Sequence, residues 1–251
     1  MRKLKIYLLM IFLPIVGYAQ QEDVTEVLFV GNSFTFFWNM PQLVEAMAKD
    51  QGIPLITSQS TVGGSNLEQH YKGEKGTETN KILENGKFDY VILQDHSSST
   101  IETPERFEEY SQKMTDLVKS RGAEPIFFMT WGYKSNPLML GEISNKYSEM
   151  GKRLQVKTIP VGEIFTKAMH LRPDLEMYFD DKHPSPDGSY LVALIFYKYL
   201  TGRSVDALPN RLTTKDAEGE NIYLSFVTSE NGNFFRQLVE EFQMETLKIS
   251  N

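Results

Sequence analysis

Residues 27–41, "VLFVGNSFTFFWNMP", open as an uninterrupted apolar run and break after one glycine into Asn32, Ser33 and a cluster of aromatics. Apolar residues that run on without polar alternation read as a strand buried on both faces, as a parallel sheet covered by helices requires. The break has a structural explanation, because Gly, Asn and Ser are ordinary turn residues. It has a chemical one too, since a sharp turn at the end of a parallel strand is a way to present a serine nucleophile.

Working outward, four more segments have the same character: 55–61, 90–93, 125–130 and 157–161. Helical patterns separate them. Pro41 suits a helix start, with Leu43, Val44, Met47 and Ala48 on one face. Thr103 can cap a helix that opens with Pro104 and Glu105, carries Phe107, Tyr110, Met114, Leu117 and Val118, and stops at Gly122. Asn136 and Pro137 start another that reaches about Leu154. Strand and helix alternating five times predict an α/β fold, a flavodoxin-like three-layer α/β/α sandwich with a five-stranded parallel sheet. Beyond the fifth strand the patterns predict helices over 162–171, 187–200, 216–227 and 233–248.

The ends of the chain bound its setting. Residues 1–19, "MRKLKIYLLMIFLPIVGYA", place Arg2, Lys3 and Lys5 before an apolar stretch, with Gly17 and Ala19 as small residues at its end. This is the pattern of a cleavable signal peptide, and Pro14 together with the short apolar run argues against a membrane anchor. Cleavage after Ala19 predicts a secreted or periplasmic protein with residues 20–251 as one domain and no stable membrane anchor. Removal of the signal leaves 23 Lys and Arg against 33 Asp and Glu, a balance that disfavours nucleic acid and anionic lipid as partners. There is no cysteine, so neither disulfides nor thiolate chemistry can contribute.

In open α/β sheets, ligands sit beyond the carboxyl ends of the strands. Those ends here are Gly31-Asn32-Ser33, then "TVGGSN" at 61–66, Gln94-Asp95-His96, Trp131-Gly132, and downstream of the fifth strand "DDKHPSPDG" at 180–188. Together they offer the parts of an acyl-transfer site. A serine needs a base, for which His183 is suited, and that histidine needs a carboxylate to hold its tautomer, which Asp180 can supply across a tight turn. The backbone N–H of Ser33, an N–H of the glycine pair and the Gln94 amide could stabilise an oxyanion.

These residues carry a resemblance. The chain resembles the GDSL-type, or SGNH, serine hydrolases, named for the Ser, Gly, Asn and His of four short blocks. Gly31-Asn32-Ser33-Phe34 matches the first block, with Asn32 where Asp is commoner. Gly64-Ser65-Asn66 matches the second, Gly64 being the backbone donor and Gly63 the less favoured choice. Asp180-x-x-His183-Pro184-Ser185 matches the last. The third block departs: "LQDHS", residues 93–97, puts Gln94 where the family has Asn. That combination is similar to a less-characterised branch found in secreted bacterial proteins. The resemblance implies Ser33, Asp180 and His183 as catalytic residues and Ser33, Gly64 and Gln94 as the oxyanion hole, with no metal and no cofactor.

Alternatives stay open at several positions. Asp181 could orient the histidine instead of Asp180, either could cap the next turn, and Gln94 could simply bond backbone. Asn32, Trp38, Asn66, Asp95, His96 and Trp131 are candidate substrate contacts, while aromatics beside a strand end are commonly core. His70 and His96 fall in expected loops, where most histidines are exposed and idle. His170 suits a helix C-terminus. The leading expectation is a secreted esterase that removes acetyl or similar groups from a carbohydrate, since no Leu- and Phe-rich amphipathic lid is evident. Its substrate would be a small-molecule or glycan ester. The competing hypotheses are a lipid or thioester hydrolase of the same fold, a metal-dependent phosphoesterase using Asp95, His96, Asp180, Asp181 and His183, and a glycan-binding protein with a decayed site.

Overall fold

A computed structural model of the chain describes residues 24–244, 246 and 247. The expected signal peptide lies outside the described residues. Five parallel strands, β1 (Thr25–Gly31), β2 (Leu55–Thr61), β3 (Tyr90–Leu93), β4 (Glu124–Phe128) and β5 (Lys157–Ile159), form one sheet in the order β2-β1-β3-β4-β5. The expected three-layer sandwich is therefore what the chain forms.

The apolar run of β1 is continuous because both faces are covered. Val27 and Phe29 point into one core layer with Ile92, Ile126 and Phe128. Leu28 and Val30 point into the other with Val91, Leu93 and Phe127. Helices α2 (Met40–Asp50), α8 (Val161–Leu171), α9 (Pro186–Thr201) and α10 (Ser229–Glu241) cover the first face, and α6 (Pro104–Ser120) and α7 (Met139–Leu154) cover the second. Helix α9 is buried almost all round, packed between the sheet, α2 and α10. In α6, Phe107, Tyr110, Met114 and Val118 recur at helical spacing, so one stripe is apolar and the other face charged.

Register positions the site. Gly31 pairs with Thr61, and Val30 pairs with Leu93, so the residues that follow β1, β2 and β3 emerge side by side at one edge. Strand order reverses across β1, which makes this the switch-point edge.

Two expectations need correction. Residues 216–227 are not helical: β6 (Arg211–Lys215) and β7 (Asn221–Phe226) form an antiparallel hairpin. Ala217, Glu218 and Glu220 suggest a helix by propensity. The turn chemistry wins, because Asp216 Oδ1 accepts hydrogen bonds from the N–H groups of Glu218 at 3.0 Å and Glu220 at 2.8 Å. The second concerns the expected loops after β2 and β3, which contain short helices α3 (Leu67–Lys72), α4 (Thr79–Asn85) and α5 (Ser99–Glu102). The final helix is α10, ending at Glu241, whereas the expected span ran to 248, which lies outside the described residues.

Candidate active site

Ser33 is the first residue of a one-turn helix, α1 (Ser33–Phe36), entered directly from β1. Asn32 is extended and caps that turn, its Oδ1 accepting from Phe34 N at 3.1 Å. The turn cannot relax, because every neighbour of Ser33 is tied down. Asn32 N–H donates to Gln94 Oε1 at 2.9 Å, Thr35 Oγ1 donates to the same oxygen at 2.9 Å, and Asn32 Nδ2 donates to Ser65 O at 2.9 Å and Asp95 O at 3.3 Å. Gly31 is required by this packing: a Cβ there would stand 2.4 Å from Gln94 Oε1 and 2.6 Å from Thr35 Oγ1.

Across the edge, the 180–183 segment is a tight turn that leads into α9. Asp180 Oδ1 accepts from the backbone N–H of Lys182 and of His183, both at 2.8 Å, which folds the turn back on itself. His183 Nδ1–H donates to Asp180 Oδ2 at 2.7 Å, and Ser33 Oγ–H donates to His183 Nε2 at 2.8 Å. Partial burial pushes the Asp180 carboxyl up, but the His183 ring and the two backbone donors outweigh it and bring its pKa down to about 2. An ionised Asp180 fixes the proton on Nδ1 and leaves Nε2 free to accept from the serine. The imidazole lies flat on Phe37, ring centroids 4.2 Å apart, and meets the edge of Phe34 at 5.8 Å. Asp181 is turned elsewhere, accepting from Ser135 N and Oγ, each at 2.8 Å.

A cavity of about 360 Å³ opens beside Ser33 and His183, walled by Phe36, Phe37, Gly63, Gly64, His96, Ser97 and Lys182. Gly64 adopts a left-handed backbone, and Lys75 Nζ donates to its carbonyl at 2.7 Å. Ser33 and Gly64 both line the cavity, and no hydrogen bond from either backbone N–H is found among the described residues.

The candidate substrate contacts divide sharply. Gln94 does not reach the cavity. It is fully buried, its Oε1 holding the nucleophile turn and its Nε2 donating to Asp95 O. Asn32 borders the cavity, but its amide oxygen caps its own turn and its amide nitrogen is spent on Ser65 O and Asp95 O. Trp131 is wholly buried, stacked between Phe34 at 4.9 Å and Phe165 at 4.4 Å, and its Nε1–H supports the histidine turn through Lys182 O at 3.0 Å. Trp38 lies outside the cavity wall and donates to Pro184 O at 2.8 Å. Asn66 caps α3 in a reciprocal box with Gln69. Asp95 is buried, its carboxylate receiving the N–H of Leu67 at 2.7 Å and of His96 at 2.8 Å. Of these six candidates and Gln94, Asn32 and His96 line the cavity, and of these two only His96 keeps a side-chain nitrogen without a partner among the described residues.

His70, expected to be exposed, is fully buried. Its Nε2 lies 2.9 Å from Gly31 O and 2.8 Å from Ser65 Oγ, and its Nδ1 lies 2.7 Å from Thr79 Oγ1. It thus ties the nucleophile turn to the Gly64 loop. The Asn66-x-x-Gln69 capping pattern was a usable sign that this stretch is helical and could bury one face. Among the described residues, no three His, Cys, Asp or Glu side chains converge as a metal site, so the ligands the phosphoesterase hypothesis needs do not come together.

No protein-family model matches the sequence, and no curated protein matches it. Solved structures do. A protein of Slackia heliotrinireducens described as an SGNH hydrolase superposes with a TM-score of 0.59 at 24% identity, covering 70% of this chain and 98% of that one. A DUF4886 family protein from Bacteroides uniformis gives 0.66 at 21% identity, with 86% and 93% covered. An acetyl xylan esterase, AlAXEase, gives 0.59 at 14% identity, with 69% and 98% covered. At these identities the shared property is the fold, and it is the fold of SGNH and GDSL hydrolases.

Proposed function

We propose that this chain is a secreted serine ester hydrolase that works through an acyl-enzyme at Ser33. The carrying observation is the unbroken chain from Ser33 Oγ to His183 Nε2, at 2.8 Å, and from His183 Nδ1 to Asp180 Oδ2, at 2.7 Å. His183 takes the serine proton as Oγ attacks the ester carbonyl carbon. The carbonyl oxygen takes up the displaced electron pair and is received by the N–H groups of Ser33 and Gly64. Collapse expels the alcohol, which receives its proton from His183. Water activated by the same imidazole then cleaves the acyl-enzyme.

A small cavity, near the lower end of the range for ligand sites, supports a short acyl group. The likeness to an acetyl xylan esterase supports an acylated carbohydrate as the substrate. The test is hydrolysis of a short-chain aryl ester and of acetylated sugars by wild type, Ser33→Ala and His183→Ala. Turnover by wild type that vanishes in both variants is expected. Turnover that survives either substitution rules the mechanism out.

A further inference from the structure

Ser33 and Gly64, whose N–H groups are the expected backbone donors, line the cavity, and the side-chain amide expected to join them is buried behind the nucleophile turn. Two residues further along, His96 reaches the cavity wall that Gln94 does not. We infer that His96 Nε2–H is the third oxyanion donor of this site, filling by an imidazole the role that a side-chain amide was expected to fill. The inference rests on the ester-hydrolase function proposed above.

Four observations carry it. The first is elimination among the polar side chains on the wall beyond the Ser33–His183 pair. The Asn32 amide nitrogen is spent on Ser65 O and Asp95 O, Ser97 Oγ pairs with Tyr133 Oη at 2.8 Å, and the Lys182 ammonium rests 5.7 Å from the centre of the Tyr133 ring. His96 Nε2 has no partner among the described residues.

The second is the tautomer. The backbone N–H of Ser98, whose hydrogen is fixed by the chain, points at His96 Nδ1 from 3.4 Å. Nδ1 therefore offers a lone pair, which leaves the ring proton on Nε2. Ser98 Oγ, 3.1 Å from Nδ1, can turn its hydrogen to that lone pair or to Glu102 Oε2 at 2.7 Å.

The third is rigidity. His96 N–H is anchored on Asp95 Oδ1 at 2.8 Å, and the same oxygen holds the start of α3 through Leu67 N at 2.7 Å. The ring is thus set from the end of β3, the strand paired with β1, and preorganised donors are those that stabilise a transition state best.

The fourth is charge state. Burial lowers the pKa of His96, the nearby Lys182 and Lys75 lower it further, and Glu102 acts in the opposite direction. The ring stays neutral at neutral pH, so it keeps one donor and does not compete with His183 for the serine proton. No proton leaves His96 during the reaction.

The experiment compares kcat and KM for p-nitrophenyl acetate in wild type, His96→Ala, His96→Asn and His96→Leu, each checked by its melting temperature. His96→Ala and His96→Leu should lose about a hundred- to a thousand-fold in kcat with KM changed less than about threefold. His96→Asn, which returns an amide donor, should recover to within about tenfold of wild type. If the alanine variant does not fold, the asparagine and leucine pair, similar in size and differing in donor capacity, carries the comparison. A kcat kept within threefold in His96→Leu, or a change confined to KM, overturns the role. A wild type that does not turn over the ester and is not labelled at Ser33 by a fluorophosphonate overturns the hydrolase function itself, and the donor role with it.

Discussion

The two halves of the candidate site are built by opposite means. On the nucleophile side, the turn at Gly31–Ser33 is sunk into a network of buried polar groups: Gln94, Thr35, Asn32, Ser65 and His70 hydrogen-bond to one another or to its backbone. On the acid–base side, Asp180 and His183 stand three residues apart on a turn, with the Asp180 side chain 46% exposed. That turn is held by its own backbone, by the Phe37 ring face and by the Trp131 and Trp38 indoles beneath it. One half is secured by burial and the other by local geometry. Changes on the first should cost stability together with activity, and changes on the second should cost activity alone.

The largest expected effect sharpens that contrast. Asp180→Asn should lower kcat about ten-thousand-fold by freeing the imidazole tautomer, while the melting temperature stays close to wild type. A large loss of stability would break the comparison. Next comes pH. His70 is buried and neutral, its pKa lowered by burial from 6.5 to about 4 against the pull of its bond to Gly31 O. The unfolded chain takes up the proton at the higher pH, so the stabilisation is complete above pH 6.5, falls as the pH drops toward 4, and amounts to about 3 kcal/mol. Asp180 keeps its charge down to about pH 2, so acid should weaken the buried half first. Melting curves from pH 7 to 4 for wild type and His70→Asn check this, with the wild-type slope across that window expected to shrink in the variant.

A smaller effect is expected at Gly31. The Cβ of Gly31→Ala meets Gln94 and Thr35 oxygens, and should cost about 1–3 kcal/mol in denaturant unfolding together with a loss of kcat. Smallest is Asn66→Ala, which removes one side of the α3 capping box for about 1 kcal/mol and should leave kcat near wild type.

Much of the fold was legible because the central strands β1, β3 and β4 bury both faces, and that leaves nearly unbroken apolar runs bounded by turns, whereas the edge strand β2 is partly exposed. The Asp180-x-x-His183 pairing was legible because three residues is the reach of one turn. What escaped was orientation. The sequence places Gln94, Asp95 and His96 at the end of one strand, and which of them faces the cavity depends on the packing around Gly31 and Leu67. The hairpin of β6 and β7 escaped because Ala and Glu propensity outweighed the Asp216 and Gly219 turn residues in the sequence pattern. His70 escaped because the local capping pattern can mark α3 as a helix but does not show that its ring reaches Gly31 O and Thr79 Oγ1.

The central claim is that Ser33 is an activated nucleophile. Treating wild type and His183→Ala with a fluorophosphonate, followed by peptide mass analysis, tests it most directly. The account predicts one adduct on wild type, at Ser33, and none on the variant in the same time. An adduct on a different residue, or equal labelling of Ser33 without His183, would contradict it.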